Sequence, residues 1–143
     1  MKTERRDPIK AAERIRKGLE DRWIVVYLRI LAVFLFAGGL AHLGSILGVG
    51  GVQWITRPLY VRVADPLLLV FNVGVGWGLW RRRYWAVVGW IAGIFLLQLI
   101  PFTLFIFFFG ASAVQRQTFL GLLAGHALTL GIFLVLLFRR RGS

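Results

Sequence analysis

The sequence predicts an all-α integral membrane protein: a four-helix up-down bundle with both termini in the cytoplasm, preceded by an amphipathic helix at the bilayer surface. Three observations lead there. Hydrophobic residues make up 58% of 143 positions and the mean hydropathy is +0.73. A globule of this size cannot bury that surplus, whereas a bilayer accepts it. The triplet Arg81, Arg82 and Arg83 stands between two long apolar runs, in Gly74-Val-Gly-Trp-Gly-Leu-Trp-Arg-Arg-Arg-Tyr-Trp85, and reads as the tight inner turn between two spanning helices. A second triplet, Arg139, Arg140 and Arg141, ends the last apolar run, and the N-terminal tail is basic as well. Both ends and the central turn therefore carry the positive charge that cytoplasmic loops retain, as expected for a multi-pass protein of the cell inner membrane.

The same composition excludes several classes. The formal charge is +12, but the basic residues are grouped at span ends and loops. They form no continuous groove, so anionic lipids and not nucleic acid are the expected polyanionic partner. The absence of cysteine removes disulfides, thiolate metal sites, iron-sulfur clusters and a Cys nucleophile. Neither a metal-ligand spacing nor a Ser, His and Asp arrangement stands out. The glycines of Gly74-Val-Gly-Trp-Gly lie in an apolar span without the strand that a phosphate loop needs. No catalytic residue and no metal are predicted. The opening residues are too charged for a signal peptide.

Residues 1–22 form a basic cytoplasmic or interfacial segment, and residues 23–143 the four-helix domain. Asp7 and Pro8 supply an N-cap and first-turn signature, after which Ile9, Ala12, Ile15, Leu19 and Trp23 recur at helical spacing, predicting a helix on the lipid surface. The first span is expected over about 23–48, with Trp23 and Tyr27 as anchors and Arg29 snorkelling to the headgroups. Ala37, Ala41 and Ser45 repeat along it, with Gly38 and His42 in the adjacent strip, which predicts a face for close helix approach. The second span is expected over about 60–80. Asp65-Pro66 repeats the cap signature, yet a start there leaves a helix of only about 22 Å before Arg81. Either residues 59–64 enter as an earlier turn with a slight kink at Pro66, or the helix is thin. Gly74 and Gly78 give this span a GxxxG face. The third, about 84–110, has Gly89 and Gly93 spaced by four, an interruption at Gln98 and Pro101, and a bulky outer end of Phe102, Phe105, Phe107, Phe108 and Phe109. Residues 111–117 are expected as a loop, and the fourth span, about 118–138, carries Gly121 and Gly125.

The intramembrane polar set is His42, Asp65, Asn72, Gln98 and His126. Counting along the spans places all five in the outer half, where they could share one polar pocket. Asp65 reads first as a helix cap pairing with Arg62, and Asn72 and Gln98 as amides that join helices. His126 is expected about 13 Å deep and hence more consequential than His42, with Asn72 or Gln98 as its partner. The two histidines raise a bis-His haem, although the count puts them at different depths.

The run Leu28-Arg-Ile-Leu-Ala-Val-Phe-Leu-Phe-Ala-Gly-Gly-Leu-Ala-His42, followed by three further spans, resembles the DoxX-like group of small four-helix bacterial membrane proteins, and other families of that size. Some DoxX-like members are subunits of a quinone-reducing sulfur oxidoreductase. The resemblance thus implies a quinone or partner-subunit role, without a catalytic residue to carry over. The expected function is a small non-catalytic accessory or assembly subunit of a respiratory, photosynthetic or transport complex. It would dock through its glycine faces on other integral membrane subunits or on itself. The alternative is a redox-associated protein holding a quinone or haem in the outer half of the bundle.

Overall fold

The computed structural model describes residues 8–101, 103–104 and 112–139, which are helices and connecting turns with no strand among them. Helix α1 spans Pro8–Gly18, α2 Arg22–Ile46, α3 Leu59–Trp80, α4 Tyr84–Gly93 and α5 Ala113–Phe138. A 3-10 turn, Trp54–Thr56, lies between α2 and α3, and α4 runs on into a π-helical stretch, Ile94–Leu99. Helices α2, α3 and α5 are each long and apolar enough to cross a membrane. The Asp7 cap, Phe102, residues 105–111 at the expected outer end of the third span, Arg140 and Arg141 lie outside the described residues.

The chain divides into two compact units, Val25–Val87 and the pair of segments Met1–Ile24 and Val88–Ser143. The first unit is a helical hairpin. Along it α2 and α3 run antiparallel: Phe36 and Ala32 stand at Gly76, Gly39 at Val73, and Gly38 at Asn72. A Cβ on Gly39 would meet Val73 at 3.1 Å and one on Gly76 would meet the Phe36 ring at 3.2 Å, so both glycines set the close approach of the two helices. The contact strip of α2 is therefore Gly38, Gly39, His42 and Ser45, whereas Ala37 and Ala41 of the expected small-residue face are exposed. Of the expected GxxxG pair, Gly74 has nothing within 4 Å of a built Cβ among the described residues, while one on Gly78 would meet Ala86 at 2.5 Å and Trp85 at 2.7 Å. The face of α3 that meets α2 passes through Gly76, half a turn away.

Helix α3 begins ahead of Asp65 because Pro58, not Asp65, precedes its first turn. Proline disfavours a helical residue before it and leaves its own missing N–H at a helix start, so the chain is extended at Arg57 and helical from Leu59. Pro66 then lies inside the helix, at the loss of one backbone hydrogen bond. At the other end Arg82 adopts φ 56°. Arg82 N–H donates to Leu79 O and Arg83 N–H to Gly78 O, which is the Schellman pattern with arginine where glycine is usual. Arg81 stacks over Trp77 at 4.7 Å and Arg29 over Trp80 at 5.5 Å, covering charge with aromatic faces beside the turn.

In the second unit, Gly18 at the end of α1 meets Leu137 of α5, where a built Cβ would lie 2.8 Å from its methyl. Asp21 Oδ1 accepts from the N–H groups of Trp23 at 2.9 Å and Ile24 at 3.4 Å, capping α2. Trp90 meets Phe133 edge to face, with ring centroids 5.6 Å apart. Helix α5 starts earlier than expected, within what the sequence suggests is a loop. Ser112 and Gln115 form a capping box, Gln115 N–H to Ser112 Oγ at 3.3 Å and Ser112 N–H to Gln115 Oε1 at 2.9 Å.

Candidate functional site

Asp65 is the one buried charged or polar residue among those described, 7% exposed. It lies on the strip of α3 that faces α2, and two side chains of α2 reach it. His42 Nδ1 is 2.9 Å from Oδ1, and Ser45 Oγ donates to Oδ2 at 2.5 Å. Arg57, beyond the loop glycines, donates from Nη1 to Ser45 Oγ at 2.8 Å. An ionised carboxylate only accepts, so His42 presents Nδ1–H to Asp65. The four residues make one chain of hydrogen bonds in which a guanidinium, through a hydroxyl, and an imidazole both orient one carboxylate.

This corrects the expectation that Asp65 caps a helix and pairs with Arg62. The carboxylate sits two turns inside α3 and bonds α2, while Arg62 lies over the Trp54 ring at 5.6 Å. Helical spacing brings His42 and Ser45 to one face. Their participation with Asp65 is tertiary, and Arg57, 12 residues beyond Ser45, shares no period with either. Ser45 is named in the sequence only as a small residue, and nothing local marks Arg57.

Of the expected polar set, the structure brings together His42 and Asp65. Asn72 lies farther along the α2–α3 contact, its Nδ2 3.0 Å from where Gly38 would carry a Cβ. Gln98 falls in the π-helical stretch, and its buried Oε1 has no hydrogen-bond partner among the described residues. His126 Nδ1 lies 2.6 Å from Leu122 O, one turn back on its own helix. The expectation that it bonds Asn72 or Gln98 rested on depth alone; a carbonyl of the preceding turn meets the need first. No group of three or more His, Asp or Glu side chains is placed to hold a metal among the described residues.

The loop that carries Arg57 forms an open cavity of about 420 Å³ against the end of α2, lined by Ile46, Leu47, Gly48, Gly51, Gln53, Trp54 and Ile55. Gly48, Gly50 and Gly51 have φ of 74°, 97° and 85°, a left-handed path that only glycine follows freely. Three N–H donors here are buried without an acceptor: Trp54 Nε1, Arg57 Nε and Arg62 Nε. The chain matches no family model, no curated protein and no solved structure.

Proposed function

We propose that this chain is a small multi-pass accessory subunit of a larger assembly in the cytoplasmic membrane, with α5 as its docking helix. One observation carries the reading: the glycine face of α5 is unfilled. Gly121 and Gly125 have nothing within 4 Å of a built Cβ among the described residues, whereas Gly38, Gly39, Gly76 and Gly78 are each closed on by this chain's own side chains. At 100° per residue, Gly121 and Gly125 lie about 110–150° round the helix from the face of Phe119, His126, Phe133 and Leu137. Of the most apolar part of α5 only 6% is buried, against 28% in α2 and 22% in α3. Lipid alone would be matched as well by Leu or Phe; a small-residue face admits a second helix.

In this reading α4 continues as the third of four spans in an up-down bundle, both termini face the cytoplasm, and Arg81, Arg82, Arg83 and Arg139 lie on that side. A reporter fused after Arg116 should then read non-cytoplasmic. Mild-detergent purification with mass spectrometry should recover a stoichiometric membrane partner, or a second copy, from the unmodified chain, and Gly125→Leu should lose it. Recovery of neither from the unmodified chain would remove the docking reading.

A second reading has its own support in the His42–Asp65 pair. A carboxylate that holds Nδ1–H leaves Nε2 as the ring's other polar atom, the arrangement found behind imidazoles that ligate metals. A quinone at this site, as the DoxX-like resemblance implies, would appear as co-purified quinone, and a haem, which the two histidines raise, as a Soret band, either one lost in His42→Leu.

A further inference from the structure

Beyond the docking role, we propose that the α2–α3 loop holds a phosphate-bearing anion, and that in the bilayer this is the headgroup of an anionic phospholipid. The site is built from Trp54, Arg57 and Arg62. A guanidinium N–H removed from water without an acceptor is costly, and an indole N–H adds to the cost. Yet Arg57 Nε, Arg62 Nε and Trp54 Nε1 are all buried and unbonded. Trp54 ties Arg62 to an open cavity, since it lines the space of about 420 Å³ and its ring lies under the Arg62 guanidinium at 5.6 Å, and Arg57 lies three residues further along the same loop. Helix α3 makes no use of these donors, and Thr56 Oγ1 bonds the loop's own Gln53 O.

Charge points the same way. The loop end of the hairpin carries Arg57 and Arg62 against the single carboxylate of Asp65, and that carboxylate is taken up by His42 and Ser45. One positive charge is left uncompensated. An anion with several acceptor oxygens offers each orphan donor a charged acceptor, as a phosphate does. The loop joins two helices of membrane-crossing length and carries exposed Leu47, Val49, Val52 and Ile55 beside the cavity. Acyl chains can therefore lie along the same surface that receives the headgroup, which is what separates a lipid from free phosphate.

The test uses the full chain in detergent micelles, with the Trp54 indole N–H followed by NMR and assigned through its loss in Trp54→Phe. Titration with short-chain phosphatidylglycerol should move that signal downfield and saturate, while inorganic phosphate at equal concentration leaves it in place. Movement by both would keep the site and assign it to a soluble phosphate. Arg62→Gln should weaken the apparent affinity about tenfold or more, the loss of a charge-assisted contact, while Arg82→Gln at the exposed arginine turn changes it less than about twofold. No movement of the unmodified chain's signal with either probe would overturn the proposal. Equal weakening by Arg62→Gln and Arg82→Gln would also overturn it, because general charge attraction would then account for the binding.

Discussion

Replacing Asp65 with Asn keeps the shape of the side chain and removes its charge, which isolates what the carboxylate does between α2 and α3. Asp65 accepts from His42 at 2.9 Å and from Ser45 at 2.5 Å. Hydrogen bonds to a charged acceptor contribute about 1.5–3 kcal/mol each. Asn retains one carbonyl acceptor and turns its NH₂ toward the other donor, so one bond weakens and one is lost. The expected destabilisation of D65N is about 2–3 kcal/mol, and of Asp65→Ala about 3–5 kcal/mol, as for removal of one member of a buried pair. The informative quantity is the coupling in a double-mutant cycle with His42→Ala, measured by reversible unfolding in mixed micelles. Neutral hydrogen bonds inside membranes average about 0.6 kcal/mol, whereas a charge-assisted pair should couple by about 1.5 kcal/mol or more. Coupling at or below the neutral figure would refute the argument that an ionised carboxylate orients this cluster.

Three further outcomes follow from packing and backbone geometry. Gly78→Ala should destabilise by about 1–3 kcal/mol because its methyl meets Ala86, while Gly74→Ala should stay within about 0.5 kcal/mol, both read by the same unfolding assay. Arg82→Gly should relieve the left-handed conformation at φ 56° and raise the unfolding midpoint by the equivalent of about 1 kcal/mol; an unchanged or lower midpoint would count against strain at that residue. His126→Leu should change stability by less than about 0.6 kcal/mol, since its Nδ1 partner is a carbonyl of its own helix and leucine is the better helix former. His42→Leu should cost more by the unfolding assay, reversing the order that depth along the spans suggests.

The membrane-length helices α2, α3 and α5 were legible because apolar runs and arginine clusters are local signals. So was the turn at Arg81 to Arg83, where three charges interrupt hydrophobic sequence. Asp65 was misjudged for an instructive reason: Asp-Pro is the chemistry of a helix start, and only Pro58, one loop earlier, shows that the start is already taken. The Ser112 and Gln115 cap was written in the sequence as S-x-x-Q, but the polar residues around it read equally well as loop. Depth along a span can be counted from sequence, whereas direction around it cannot. His42 and His126 differ in direction, one aimed at a carboxylate on the next helix and the other turned back on its own. Gly76 was passed over for the same cause, because the GxxxG spacing of Gly74 and Gly78 names a face without saying what lies opposite.

The arginine turn is also a self-contained unit of local contacts. Gly78 closes on Trp85 and Ala86, near neighbours in the chain, while the bond from His42 to Asp65 joins residues 23 apart. Closing the shorter loop costs about 1 kcal/mol less, and its hydrogen bonds are made within the turn itself. The α3–α4 corner is therefore the cheaper of the two contacts to close, and it holds its three charges together. A corner held by its own short-range bonds needs no other helix to keep three arginines gathered at one point between α3 and α4.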